Sequence, residues 1–170
     1  MKGLIASHSR HVYLKPGEVF VSRRPALVST VLGSCVAVTM FSRVSGVGAI
    51  CHAMLPGIVA GQSNDLRYVD KAIRYIYRKI IEYGAKDDLV IKLFGGAQVL
   101  ALGNYSATRQ TIGEQNVARA GEIIALLGLT IASTDTGGLF GRKLFFSTID
   151  GSVYVRRMGP KSSLASGVSA

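Results

Sequence analysis

The stretch Leu32-Gly33-Ser34-Cys35-Val36-Ala37-Val38 sets a thiol at the mouth of an apolar, β-prone run. A second run of that kind, Val47 to Leu55, carries His52. A thiol beside an imidazole is a nucleophile beside its base. The free thiol titrates near ~8.5 and reacts as the thiolate. The ring can take that proton and later return it to a leaving amine. A lone cysteine in such a run is more often a small buried hydrophobe, so the functional reading depends on whether the fold brings Cys35 to His52.

The two runs read as an antiparallel hairpin. A turn at Arg43-Val44 sets Cys35 directly opposite His52, and a slip of two residues leaves them diagonal and still near. Cys51 then points to the other face, toward the core. A base of this kind needs a third group to orient its ring. No Asp or Glu lies near this stretch, but Ser29 and Thr30 do. Alternation puts Ser29 on the face of Cys35, which makes it the preferred residue. Thr30 shares that face only if Gly33 breaks the alternation. Gly33 permits a sharp path, and the N–H groups of Ser34 and Cys35 then suit a tetrahedral oxyanion. A simple β-bulge is the structural alternative. His8 and His11 fall in a polar head and receive no role.

The elements that must hold these residues follow from period and punctuation. Strands are expected at Glu18–Ser22, Leu27–Leu32, Ser34–Phe41 and Val47–Leu55, the last closed by Pro56-Gly57. Leu66, Val69, Ile73, Ile76 and Ile80 recur at helical spacing, with Ser63 or Asn64 as cap and Gly84 as stop. Leu89–Phe94 is a strand ending at Gly95-Gly96. Thr111 and Glu114 have capping-box spacing for a second helix, with Val117, Ala120, Ile124 and Leu127 inward and Gly128 as its end. Leu129–Ser133, Lys143–Thr148 and Ser152–Arg156 finish the set, with a turn at Asp150-Gly151. The order predicts an α+β fold: one domain over residues 1–158, with largely antiparallel sheet layers and two main helices on one face, an α/β/β sandwich. Residues 159–170 are expected to be a disordered tail.

Composition narrows the class. The chain has 170 residues, 48% of them apolar, which suits one globular core. No apolar run approaches the ~20 residues of a membrane-spanning helix, and no signal-type segment opens the chain. A cytoplasmic address and no membrane insertion are expected. The two cysteines form no Cys-x-x-Cys pair, so no metal is expected. Twenty basic against ten acidic side chains give a net charge of +10, which favours acidic partners. No nucleic-acid motif accompanies it, and the aromatics are not interleaved with arginine in a stacking pattern.

Taken in series, the segments resemble the chemoreceptor glutamine deamidases, the CheD family. They are Leu32–Val38, His52-Ala53-Met54-Leu55-Pro56, Tyr68-Val69-Asp70 and Lys92–Ala97, then Ile112-Gly113 with Asn116-Val117, Thr136-Gly137-Gly138 and Gly141-Arg142-Lys143. They span roughly residues 15–158. The resemblance implies Cys35 as nucleophile, His52 as base and a hydroxyl five or six positions before the cysteine, Thr30 or Ser29. Gln115 stands where the family pattern leads one to expect a basic residue. The implied reaction is hydrolysis of receptor glutamine side chains through a thioester, without cofactor, with receptor methyl-ester hydrolysis as a side activity. The implied partners are chemoreceptor helical bundles and a CheC-type phosphatase. Arg67, Lys71, Arg74 and Arg78 form a basic stripe suited to such an acidic rod. A non-catalytic chemotaxis adaptor is the alternative.

Overall fold

The computed structural model describes residues 2–57, 65–85, 87–99 and 109–159. The described residues form α1 (Lys2–Ala6), β1 (His11–Tyr13), β2 (Val19–Ser22), β3 (Leu27–Leu32), β4 (Val36–Ser42), β5 (Val47–Ala53), α2 (Val69–Glu82), β6 (Leu89–Gly95), α3 (Ile112–Leu126), β7 (Ile131–Thr136), β8 (Gly141–Ser147) and β9 (Val153–Met158). Five strands in the order β2-β5-β4-β6-β7 make a central sheet, and β1-β3-β8-β9 make a second. Pairing is antiparallel except for β1 with β3 and β6 with β7.

Period-2 alternation in the central sheet creates two cores. One face of β4 and β5 (Val36, Val38, Met40, Ala49, Cys51) meets the apolar side of α2 and α3. That side comprises Val69, Ala72, Ile73, Ile76 and Ile80 from α2, with Ala120, Ile123 and Ile124 from α3. The other face (Ala37, Ile50, Phe94) meets Val28, Leu32, Leu144 and Phe146 of the second sheet. Each fully buried Ile or Phe contributes roughly 1.5–3 kcal/mol of transfer free energy. The result is the helix-on-sheet-on-sheet α+β arrangement expected from the sequence, in a single compact domain.

Several details differ from the expectation. The hairpin turn is four residues, Arg43 to Gly46: Ser42 pairs Val47, and Gly46 (φ 66°) closes it by donating its N–H to the Ser42 carbonyl. α2 begins at Val69 after an extended Tyr68 that offers no side-chain cap. Ser63 and Asn64 lie outside the described residues, as does the tail from residue 160. His8, given no role in the polar head, is buried, and its Nε2 lies 3.0 Å from Ser147 Oγ. The capping box at the start of α3 forms as predicted, with both reciprocal bonds between Thr111 and Glu114.

The end of β6 meets the start of β4 with no room to spare. Gly95 (φ 107°) and Gly96 (φ 70°) turn the chain out of the ladder. A Cβ on Gly95 would sit 2.2 Å from the Cys35 carbonyl oxygen. Gly121, inside α3, has nothing within 4 Å of its Cβ position. Gly95→Ala is therefore expected to lower the unfolding free energy by ~3 kcal/mol or more. Gly121→Ala is expected to raise it by ~0.5–1 kcal/mol. Urea unfolding of both variants measures this, and equal effects of the two would contradict it.

Candidate active site

The chain crosses from the second sheet to the central sheet between Leu32 and Val36, and Cys35 sits on that crossover. Three consecutive carbonyls there are held. The Gly33 carbonyl accepts from the Ala97 N–H and the Cys35 carbonyl from the Gly96 N–H, both at 2.9 Å. The Ser34 carbonyl accepts from Asn116 Nδ2 at 2.9 Å. The same amide nitrogen donates to the Met54 carbonyl at 2.9 Å, beyond the end of the His52 strand. Arg142, also buried, donates to the Gly95 and Gly137 carbonyls at 2.8 Å and pairs with Asp135 at 3.0 Å. The crossover is thus braced by β6, by α3 and, through Arg142, by β8.

Register decides where the sulfur and the ring lie. Ala37 is opposite His52 and Val36 opposite Ala53. Cys35 falls two residues from the His52 position, the diagonal arrangement and not the direct one. Both belong to the face between the sheets, where Cys35 is half-buried against the second core. Cys51 lies on the helix side, fully buried, with burial pushing its thiol up to about 12.

His52 is 1% exposed. Its Nδ1 lies 2.7 Å from Thr30 Oγ1. Thr30 in turn donates its only hydroxyl hydrogen to the Leu14 carbonyl, at 2.7 Å. Thr30 must therefore accept, and Nδ1 must carry the proton. Nε2 keeps its lone pair and has no hydrogen-bond partner among the described residues. The sulfur is thus not in hydrogen-bonding contact with it. Such contacts are often long until substrate binds.

Ser29, preferred on alternation, is not at this site. It faces outward from β3, between Tyr13 and Phe145, and lines a shallow cavity with Ile5, His11 and Leu27. Val28, Thr30 and Leu32 face the other sheet instead. Alternation counted from Ser29 through Cys35 fails because the chain changes sheets at Gly33-Ser34 and the phase inverts there. The third residue that meets the ring is Thr30.

Electrostatics favour neutral groups at rest. Burial raises the Cys35 thiol, offset in part by its own backbone N–H near the sulfur. Burial lowers His52, with the Leu14 carbonyl and the charge of Glu18 pulling the other way. Both directions favour the neutral thiol and neutral imidazole over a thiolate–imidazolium pair. Such a site can abstract a thiol proton during attack and return it to a leaving group. Among the described residues, no group of three or more His, Cys, Asp or Glu is arranged to hold a metal ion.

The basic stripe is only partly helical. Lys71, Arg74 and Arg78 line an α2 groove of about 350 Å³ with Leu66 and Tyr75. Arg67 precedes the helix and pairs with Asp65, while Arg78 lies 3.7 Å from Glu82. Asn116 and Arg142 were legible only as members of motifs. For Asn116 the available signal was a polar residue at an apolar-facing position of a helix.

Among the described residues no helix is long and apolar enough to cross a membrane. The CheD chemotactic sensory transduction family model matches residues 54–157. That span begins just after His52, so Cys35 and His52 lie outside it. A Geobacter sulfurreducens protein named "Probable chemoreceptor glutamine deamidase CheD 2" is 45% identical over 150 residues, covering 87% of this chain and 90% of the relative. A Maridesulfovibrio salexigens protein named "Probable chemoreceptor glutamine deamidase CheD" is 40% identical over 165 residues, covering 89% and 94%. One of that name from Methanococcus maripaludis is 38% identical over 146 residues, covering 85% and 93%. With well over half of its length matched in each comparison, the chain belongs to the CheD family.

Proposed function

We propose that this protein is a protein-glutamine glutaminase that deamidates chemoreceptor glutamines, with Cys35 as nucleophile and His52 as base. The observation that carries this reading is the state of His52. Its Nδ1 faces an acceptor, and its Nε2 is bare on the face that the half-buried thiol shares.

The reaction follows from those groups. Neutral His52 Nε2 takes the thiol proton as sulfur attacks the carboxamide carbon, and the carbonyl pair moves to oxygen. The tetrahedral adduct collapses, and the C–N bond breaks. His52 returns the proton to the departing ammonia, leaving a thioester. Water, deprotonated by His52, then attacks the thioester and frees glutamate and thiol. A receptor methyl ester would follow the same steps with methanol leaving. Thr30 fixes the ring without adding charge, so the base stays weak enough to be neutral at neutral pH. The substrate segment is a glutamine on an acidic receptor helical bundle, drawn in by Lys71, Arg74 and Arg78. A CheC-type phosphatase is the regulatory partner that family membership suggests, and the site lies in the cytoplasm with the receptor's signalling end.

Three measurements check this. Incubation with a receptor cytoplasmic fragment should give a unit mass gain at specific glutamines, abolished in Cys35→Ala. Thr30→Val should lower kcat by roughly 10–100-fold, a range in keeping with general-base contributions, while Ser29→Ala stays near the parent rate. Equal losses in the last two would contradict the assignment.

The pH profile has a defined sign. Activity needs neutral His52, whose pKa is depressed, so the acid limb of kcat/KM should fall below the ordinary imidazole value of about 6.5. It also needs the protonated thiol, whose pKa is raised, so the alkaline limb should lie above about 8.5. A plateau of thiol alkylation between about pH 4 and 8, the mark of a preformed ion pair, would contradict this.

Docking by the α2 stripe should make kcat/KM on receptor bundles fall as salt rises. Arg74→Glu should flatten that dependence without changing turnover of a short neutral peptide. A flat profile in the parent protein would remove the docking role.

A further inference from the structure

Asn116 is fully buried in the second turn of α3, yet it is polar. Its Nδ2 faces two carbonyls at once, Ser34 and Met54, which fixes the orientation of the amide. Its Oδ1 is buried with no partner among the described residues. An orphaned acceptor is costly, ~1–3 kcal/mol, and one retained at a site calls for an explanation. What Nδ2 holds supplies one.

A peptide unit is planar and trans, so a carbonyl and the next N–H point in opposite directions. By drawing the Ser34 carbonyl toward α3, Asn116 aims the Cys35 N–H away from it. That N–H lies near the cysteine's own sulfur. Its natural ladder acceptor would be the carbonyl of Gly96, whose N–H already bonds to the Cys35 carbonyl. That carbonyl is turned aside, packed against Gly113 so closely that a Cβ on Gly113 would sit 2.5 Å from it. Left-handed Gly95 and Gly96 make that turn. Among the described residues no backbone carbonyl takes the Cys35 N–H, which has only the cysteine's own sulfur beside it.

We infer that Asn116 is a positioning residue for the oxyanion: by holding the Ser34 carbonyl it presents the Cys35 N–H to the substrate oxygen. The inference rests on Cys35 being the nucleophile of amide hydrolysis. When the sulfur–carbon bond forms, the carbonyl electron pair moves onto that oxygen, and the Cys35 N–H is the donor within reach. A donor left unused by the fold needs no rearrangement at the moment of reaction, which is where such donors gain their effect.

Alkylation by iodoacetamide separates this role from a structural one. It consumes the same thiol in a displacement that forms no oxyanion. Asn116→Ala should lower kcat for a glutamine-containing receptor peptide by roughly 10²-fold. Its alkylation rate and alkylation pH profile should stay within about threefold of the parent. Parallel loss of both rates, or retention of full deamidation, overturns the inference.

A second measurement needs no variant. The full chain labelled with 15N-cysteine gives two backbone amide signals, Cys35 and the buried Cys51 as internal control. A receptor peptide with glutamate γ-semialdehyde replacing the glutamine forms a tetrahedral adduct on sulfur. The Cys35 amide proton should move downfield while Cys51 stays. An adduct with no movement of the Cys35 amide overturns the inference. Absence of both deamidation and adduct in the parent protein instead removes Cys35 as nucleophile, and the inference with it.

Discussion

One hydrogen bond joins the two sheets at the place where chemistry is possible: Thr30 on β3 to His52 on β5. Both groups are buried, so neither can turn to water for another partner. Thr30 already gives its hydrogen to the Leu14 carbonyl, which leaves the ring one arrangement, protonated at Nδ1 and bare at Nε2. The sandwich must close at this spacing, with Phe146 and Leu144 filling one side of the gap and Ala37 and Ile50 the other. A small residue at position 37, directly opposite the histidine, leaves the ring its space.

Cys35 is held by a different device. Cys35 belongs to no strand, because the chain there is changing sheets. Irregular backbone in a protein interior needs partners for its polar groups. Here β6 and α3 supply them, one carbonyl after another. The glycines at 95, 96 and 113 allow the approach, since side chains would collide with the carbonyls of Cys35 or Gly96, or with Val117. The helical layer therefore serves the site directly and not only as cover for the apolar face of the sheet.

Much of this was legible from residue types. The helical repeat through Val69, Ile73, Ile76 and Ile80, the Thr111–Glu114 box and the strand alternation gave the α/β/β layering. The β4–β5 hairpin that follows Cys35 and carries His52 was legible too, but its register was not. Arg43-Val44 reads as the centre of a two-residue turn, whereas Gly46 closes a four-residue one. The choice between Ser29 and Thr30 turned on the same blind spot. Alternation is a rule within one sheet, and nothing local in Gly33-Ser34 tells that the chain crosses to another. Asn116 stayed obscure because its partners, the carbonyls of Ser34 and Met54, are set by tertiary packing. β1 and the buried His8 were hidden in a head whose polar composition resembles that of frayed termini.

The central claim is the state of the His52 ring: neutral at neutral pH, protonated at Nδ1, free at Nε2. The chain has three histidines, so 15N-histidine labelling with long-range 1H–15N correlation resolves it directly. At pH 7 the account predicts that one ring, lost in His52→Gln, shows the Nδ1-H tautomer and titrates below about 6.5. A His52 ring that is an imidazolium at pH 7, or that carries its proton on Nε2, would contradict it.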